Sequence, residues 1–137
     1  MNTHKISSIF KSGLAFTAEI DDYKFDMDST DENSQHLGPS PKKLMLASLA
    51  GCTGIDVVSI LNKMRVSFSD FKIEITGNLS DNHPKIYNQV DIIYSIKIAT
   101  EDQDKMHKAV NLSKEKYCGV STMFQSFATV NWKIIFL

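Results

Sequence analysis

"LASLAGCTGIDVVSIL", residues 46–61, is almost wholly apolar, yet it holds a thiol at Cys52 and a carboxylate at Asp56. Pro41 sits five residues earlier with Ser40 before it, a proline in the first turn and a capping hydroxyl that together open a helix. The spacing predicts one helix from 41 to about 65, long for a globular protein. At about 100° per residue, Ser48, Asp56, Ser59 and Lys63 fall within roughly 40° of Cys52, while Leu46, Ala47, Ala50, Val57, Leu61 and Met64 lie on the far side. The polar groups thus form one stripe, and Cys52 sits on it. A buried Asp56 needs a partner or water, and a helix apolar nearly all round needs cover on every side. A second subunit would supply that cover.

Outward from this helix the pattern alternates. Leu14, Phe16, Ala18 and Ile20 share a face, and Tyr23, Phe25 and Met27 alternate with charged residues, as half-buried strands do. "KSG" and "IDDY" supply turns, and a polar loop, "STDENSQHLGPSP", leads into the helix. After it, Phe71, Ile73 and Ile75 alternate, then Val90, Ile92, Tyr94, Ile96 and Ile98, with "SDNHP" between them as a hairpin. Thr100 and Gln103 have the spacing of a capping box for a second helix, acidic early and lysine-rich late. A short helical segment follows "YCG", and a last strand places Val130, Trp132, Ile134 and Phe136 on one face. The expected fold is an α+β domain over residues 1–137, antiparallel strands with a long central cysteine-bearing helix.

With 137 residues, 23% charged and a net charge of −1, the chain is one ordinary globular domain with no nucleic-acid groove and no polybasic membrane surface. The polar residues within 44–61 argue against a membrane span, and "MNTHKISSIF" has no signal-peptide pattern, so the expected compartment is the cytoplasm. There, two cysteines are more often free or redox-active than a permanent staple. The thiols are isolated and lack ligand-pair spacing, so no metal site and no cofactor is expected. None of the four histidines is placed against Cys52 as a hydrolase would need. The second thiol, Cys118, precedes a helix start, where the dipole and Lys114 or Lys116 would favour a thiolate. Cys52, mid-helix beside a carboxylate, requires a cation from elsewhere to be reactive.

"GPSPKKLMLASLAGCTGIDVVSILNKM" (38–64) and "YCGV" (117–120), with the strand–helix order around them, resemble the OsmC/Ohr superfamily, which includes the organic hydroperoxide resistance proteins. The resemblance covers nearly the whole chain and is nearest the general OsmC-like branch. It implies an α+β homodimer with intertwined subunits, the cysteine helices central and two sites at the dimer interface. It implies further that Cys52 attacks an organic hydroperoxide and that Cys118 resolves the sulfenic acid as a disulfide, reopened by a dithiol reductant. Peroxidase members support the thiolate with an arginine after the first strand and a glutamate after the helix-opening proline. Here Lys11 stands near the first and Lys42 at the second. Lysine carries charge without arginine's flat fork, and the only arginine, Arg65, is at the helix's far end. His36 in the loop, and Ser48 on the stripe, are further supporting candidates. The alternative on the same scaffold is a protein that binds a small apolar ligand at the interface, or a thiol redox sensor.

Overall fold

The computed structural model describes residues 2–137. They divide into two compact units, residues 2–45 and 46–137, with the long helix running across the division.

The N-terminal unit is an antiparallel sheet of β1 (Ser7–Ser12), β2 (Ala15–Ile20) and β3 (Tyr23–Met27), in that order. Gly13 makes the first turn with φ +55°, and Asp21 the second with φ 54°. Both are left-handed positions that glycine and aspartate tolerate best. The register sets Phe10 beside Phe16 and Phe16 beside Met27, so the alternation seen in the sequence does become one face. Ala15 and Ala18 are buried, whereas Phe10, Phe16, Ile20 and Tyr23 are exposed.

The loop after β3 is organised by Asp28. Its carboxylate accepts the N–H groups of Ser29 (2.7 Å) and Leu37 (3.1 Å), and its own N–H donates to the Pro39 carbonyl (3.1 Å). A hydrogen bond from Ser34, ahead of those two N–H groups and the nearby charge of His36, holds the Asp28 carboxyl below its ordinary value despite burial, which opposes the shift. An acid with a depressed native pKa contributes stability above the unfolded value and loses it as pH falls through the native one. Amide-exchange protection across residues 28–39 is therefore expected to fall in acid, below about pH 4, and Asp28→Asn to flatten that pH dependence. Unchanged protection at low pH would show that the carboxylate does not hold the loop.

Helix α1 spans Pro41–Lys63. Ser40 caps it as the sequence suggests, Oγ accepting the Lys43 N–H at 3.2 Å. In the C-terminal unit one ridge of α1, Leu49, Thr53, Val57 and Leu61, is buried. The four-residue spacing of that ridge suits packing on a flat neighbour. The neighbour is a second sheet of β4 (Phe68–Leu79), β5 (Tyr87–Ile98) and β6 (Thr129–Phe136). Val90, Ile92, Tyr94 and Ile96 of β5 join the same core as Leu49, Val57 and Leu61, with Val130, Trp132, Ile134 and Phe136 packed against it.

Between β5 and β6 the chain makes a 3-10 turn (Thr100–Asp102), α2 (Gln103–Leu112), a π-helical turn (Ser113–Tyr117) and α3 (Gly119–Gln125). Met106, Ala109, Val110 and Phe124 face the core. The α+β class is the one expected, with two departures. β6 pairs with β5 in parallel rather than antiparallel, because a helical crossover of this length returns the chain to the end from which it started. The Thr100–Gln103 capping box does not form: the 3-10 turn takes Thr100, and Asp102 becomes the N-cap with no side-chain bond.

Among the described residues α1 is the one helix long and apolar enough to cross a membrane, and only 22% of its most apolar window is buried. Its packed ridge and mid-helix carboxylate mark it instead as a core helix with one side uncovered. That side carries a shallow groove of about 830 Å³, walled by Gly51, Gly54, Ile55, Val58, Phe71 and Ile73, in which Ile55 is 72% exposed.

Candidate functional site

Cys52 stands midway along α1, half-buried, and Asp56 follows one turn later on the same face. The groups that meet them come from the crossover between β5 and β6, at the π-helical turn. There the Cys118 N–H reaches back five residues to the Ser113 carbonyl (2.8 Å), a widened turn of the kind frequent at functional sites. Ser113 is buried at the start of this turn, and Cys118 leaves it as the N-cap of α3, its Sγ accepting the Ser121 N–H at 3.3 Å.

The result is a cluster in which Cys52 Sγ, Cys118 Sγ and a carboxylate oxygen of Asp56 all lie within 4.8 Å of one another. Both thiols are free. Their surroundings differ: Cys118 is 2% exposed, and burial, then the hydrogen bond to Cys52, pushes its thiol up to about 12. The Ser121 N–H pulls the other way and loses; the nearby Cys52 and Asp56 charges add to the rise. The expectation that Lys114 or Lys116 would favour a Cys118 thiolate fails, because those ammonium groups lie over the Trp132 ring (5.9 Å) and the Tyr117 ring (5.3 Å). Cys118 therefore keeps its proton.

Asp56 has the partner its burial demanded. Ser113 Oγ donates to Asp56 Oδ2 at 3.1 Å, Thr53 Oγ1 lies 3.1 Å from Ser113 Oγ, and Tyr94 Oη lies 2.8 Å from Thr53 Oγ1. A hydroxyl has one hydrogen and a carboxylate only accepts. Ser113's hydrogen is committed to Asp56, so Thr53 donates to Ser113 and Tyr94 donates to Thr53. The chain of hydroxyls runs one way, from Tyr94 to the carboxylate. Burial, partly offset by the Thr53 hydrogen bond, raises the Tyr94 phenol above its ordinary value, which keeps the donor end protonated. Sequence reasoning missed this line. Thr53 and Tyr94 sit at core positions where a hydroxyl resembles packing, and nothing around Ser113 distinguishes it.

Two of the supporting candidates, Lys11 and His36, are engaged inside the N-terminal unit. Lys11 Nζ pairs with Asp26 at 2.6 Å, where Thr17 Oγ1 donates to the other carboxylate oxygen at 2.6 Å. These bonds, Lys11's first, hold the Asp26 carboxyl below its usual value. His36 has φ 52° in the Asp28 loop, and its N–H donates to Ser34 Oγ at 3.0 Å. Ser48 lies one turn before Cys52 on an exposed part of α1. Beside the cluster, a pocket of about 350 Å³ is lined by Asp56, Ile60, Lys63, Met64, Lys108 and Tyr117.

Comparison with known proteins matches this arrangement to a family. The family model described as OsmC-like protein matches residues 29–133. Protein YhfA of Escherichia coli is 31% identical over 100 residues, covering 73% of this chain and 75% of its own. The structure of a hypothetical protein from Aquifex aeolicus superposes with a TM-score of 0.82 at 27% identity, covering 100% of this chain and 99% of that one. An organic hydroperoxide resistance protein OsmC from Legionella pneumophila superposes with a TM-score of 0.72, covering 98% of each chain; at 17% identity that likeness is one of fold alone. The chain belongs to the OsmC-like protein family.

Proposed function

We propose that the protein is a thiol-dependent peroxidase that reduces organic hydroperoxides, working as a homodimer in a reducing compartment such as the cytoplasm. The observation that carries this reading is the meeting of Cys52 and Cys118, with their sulfurs within 4.8 Å of each other and of Asp56. The difference in exposure supports the division of roles. Cys52, half-open to solvent, is the thiol a substrate can reach, and the protonated Cys118 points a hydrogen bond at it.

The Cys52 thiolate attacks one peroxide oxygen, the O–O bond breaks, and the alcohol leaves with a proton from solvent, so that Cys52 becomes a sulfenic acid. Cys118 sulfur then attacks Cys52 sulfur, the S–O bond breaks, water leaves, and a disulfide forms. An external dithiol returns both thiols and is itself oxidised to a disulfide. The scheme calls for a cation beside the thiolate; the family's position for it falls on Lys11, here paired with Asp26, and Lys42 stands in place of the family's acid. The apolar groove along α1 supports the dimer: a second copy's helix would cover Ile55, which a single chain leaves bare, and the half-buried Val58 beside it.

Reduced protein mixed with cumene hydroperoxide is expected to lose two thiols per chain quickly, and much more slowly with hydrogen peroxide. Slow, unselective loss would overturn the peroxidase reading and favour a ligand-binding role for the apolar groove.

A further inference from the structure

We propose that the reduced Cys52–Asp56–Cys118 cluster is a binding site for a thiophilic divalent cation, with Zn²⁺ the ion its donors suit. Such binding needs no peroxide chemistry.

Two thiols and a carboxylate present three ligand atoms within 4.8 Å of one another. Tetrahedral zinc, with Zn–S near 2.3 Å and Zn–O near 2.1 Å, sets its ligand atoms about 3.5–3.8 Å apart. A contraction of about 1.3 Å or less therefore closes the site. Cys52 and Asp56 are four residues apart on one face of a 23-residue helix, the spacing at which paired helical ligands chelate a metal. Sulfur donors select zinc over magnesium or calcium.

The outer partners of such a site already exist. Ser113 holds Asp56 Oδ2 at 3.1 Å, leaving Oδ1 for the metal. The Ser121 N–H steadies Cys118 Sγ at 3.3 Å. Hydrogen bonds of this kind orient ligands before the ion arrives. Three protein donors leave the fourth position open, to water or an incoming thiol. On binding, each thiol releases its proton to solvent and forms one metal–sulfur bond, while Asp56 contributes an oxygen. Neither sulfur is then available for a disulfide, so occupancy and thiol oxidation exclude each other.

Sequence spacing could not show this site because its ligands lie 66 positions apart, from Cys52 to Cys118. The zinc-ligand pairs that sequence reasoning looks for are local.

The test is a titration of the fully reduced chain with Co²⁺ under anaerobic conditions. One equivalent per chain is expected to raise a thiolate-to-cobalt charge-transfer band and tetrahedral visible bands, both removed by Zn²⁺. Zinc should also protect both thiols from a thiol reagent. Cys52→Ser and Cys118→Ser should abolish the band, and Ser113→Ala, which keeps both thiols, should weaken binding 10–100-fold. Should Cys118→Ser not fold, wild-type protein oxidised with diamide serves instead and must bind no cobalt at the cluster. Absence of the charge-transfer band with both thiols free would overturn the site. So would equal cobalt uptake by Cys52→Ser or by the oxidised chain.

Discussion

Cys52→Ser is expected to reduce hydroperoxide consumption to the uncatalysed background, whereas Cys118→Ser retains a single turnover. The two outcomes differ because the two thiols stand in different surroundings. Cys52 is the accessible sulfur, and a serine hydroxyl at that position is no nucleophile toward an O–O bond at neutral pH. Removing Cys118 leaves the attack intact and strands the sulfenic acid. Excess peroxide then carries Cys52 to the sulfinic state, which ordinary thiols do not reverse. Mass spectrometry after one equivalent and after ten should read one added oxygen, then two, in Cys118→Ser. Wild-type protein should read a loss of two hydrogens at both doses. Full, repeated turnover in Cys118→Ser would show that resolution does not need it, and activity surviving in Cys52→Ser would place the nucleophile elsewhere.

The second large effect concerns stability. Thr53→Val keeps the shape of the α1 ridge and removes the middle of the hydroxyl chain. Tyr94 then has no acceptor and Ser113 no donor, both buried. Each unsatisfied group costs about 1–3 kcal/mol, so the variant is expected to lose about 3 kcal/mol in denaturant unfolding. Tyr94→Phe removes only the terminal hydroxyl, leaves Thr53 its bond to Ser113, and should cost about 1 kcal/mol. Combined, the two substitutions are expected to cost less than their sum, since the phenol stranded by the first is absent in the second. Strict additivity would mean that the Tyr94–Thr53 bond contributes nothing measurable.

The sequence disclosed what periodicity and local chemistry can disclose. Ser40 and Pro41 marked the start of α1, alternation located β2 through β6, and the angular stripe singled out Asp56 beside Cys52. Asp56 was legible because an acid on an apolar helix demands an explanation, and Ser113 supplies it. Other features were not legible in the residues themselves. The approach of Cys118, implied by the family resemblance alone, depends on how the crossover folds over the sheet, not on neighbouring residues. The thiolate expected at Cys118 followed from helix polarity and nearby lysines, and burial outweighs both. The parallel pairing of β6 rests on the same crossover and leaves no mark in the strand's own alternation.

The π-helical turn at Ser113–Tyr117 makes chain length itself a functional variable. An α-helical turn would need one residue fewer to cover the same rise. Deleting one residue there would close an α turn in place of the widened one and shift the residues within it by one position relative to Ser113. Ser113 would still be a serine and Cys118's thiol would still be a thiol, but they would no longer face Asp56 and Cys52 together. The site is thus written in register as well as in residue identity. Two relatives could share every one of its side chains and differ in this turn by a single deletion, and only one of them would assemble it.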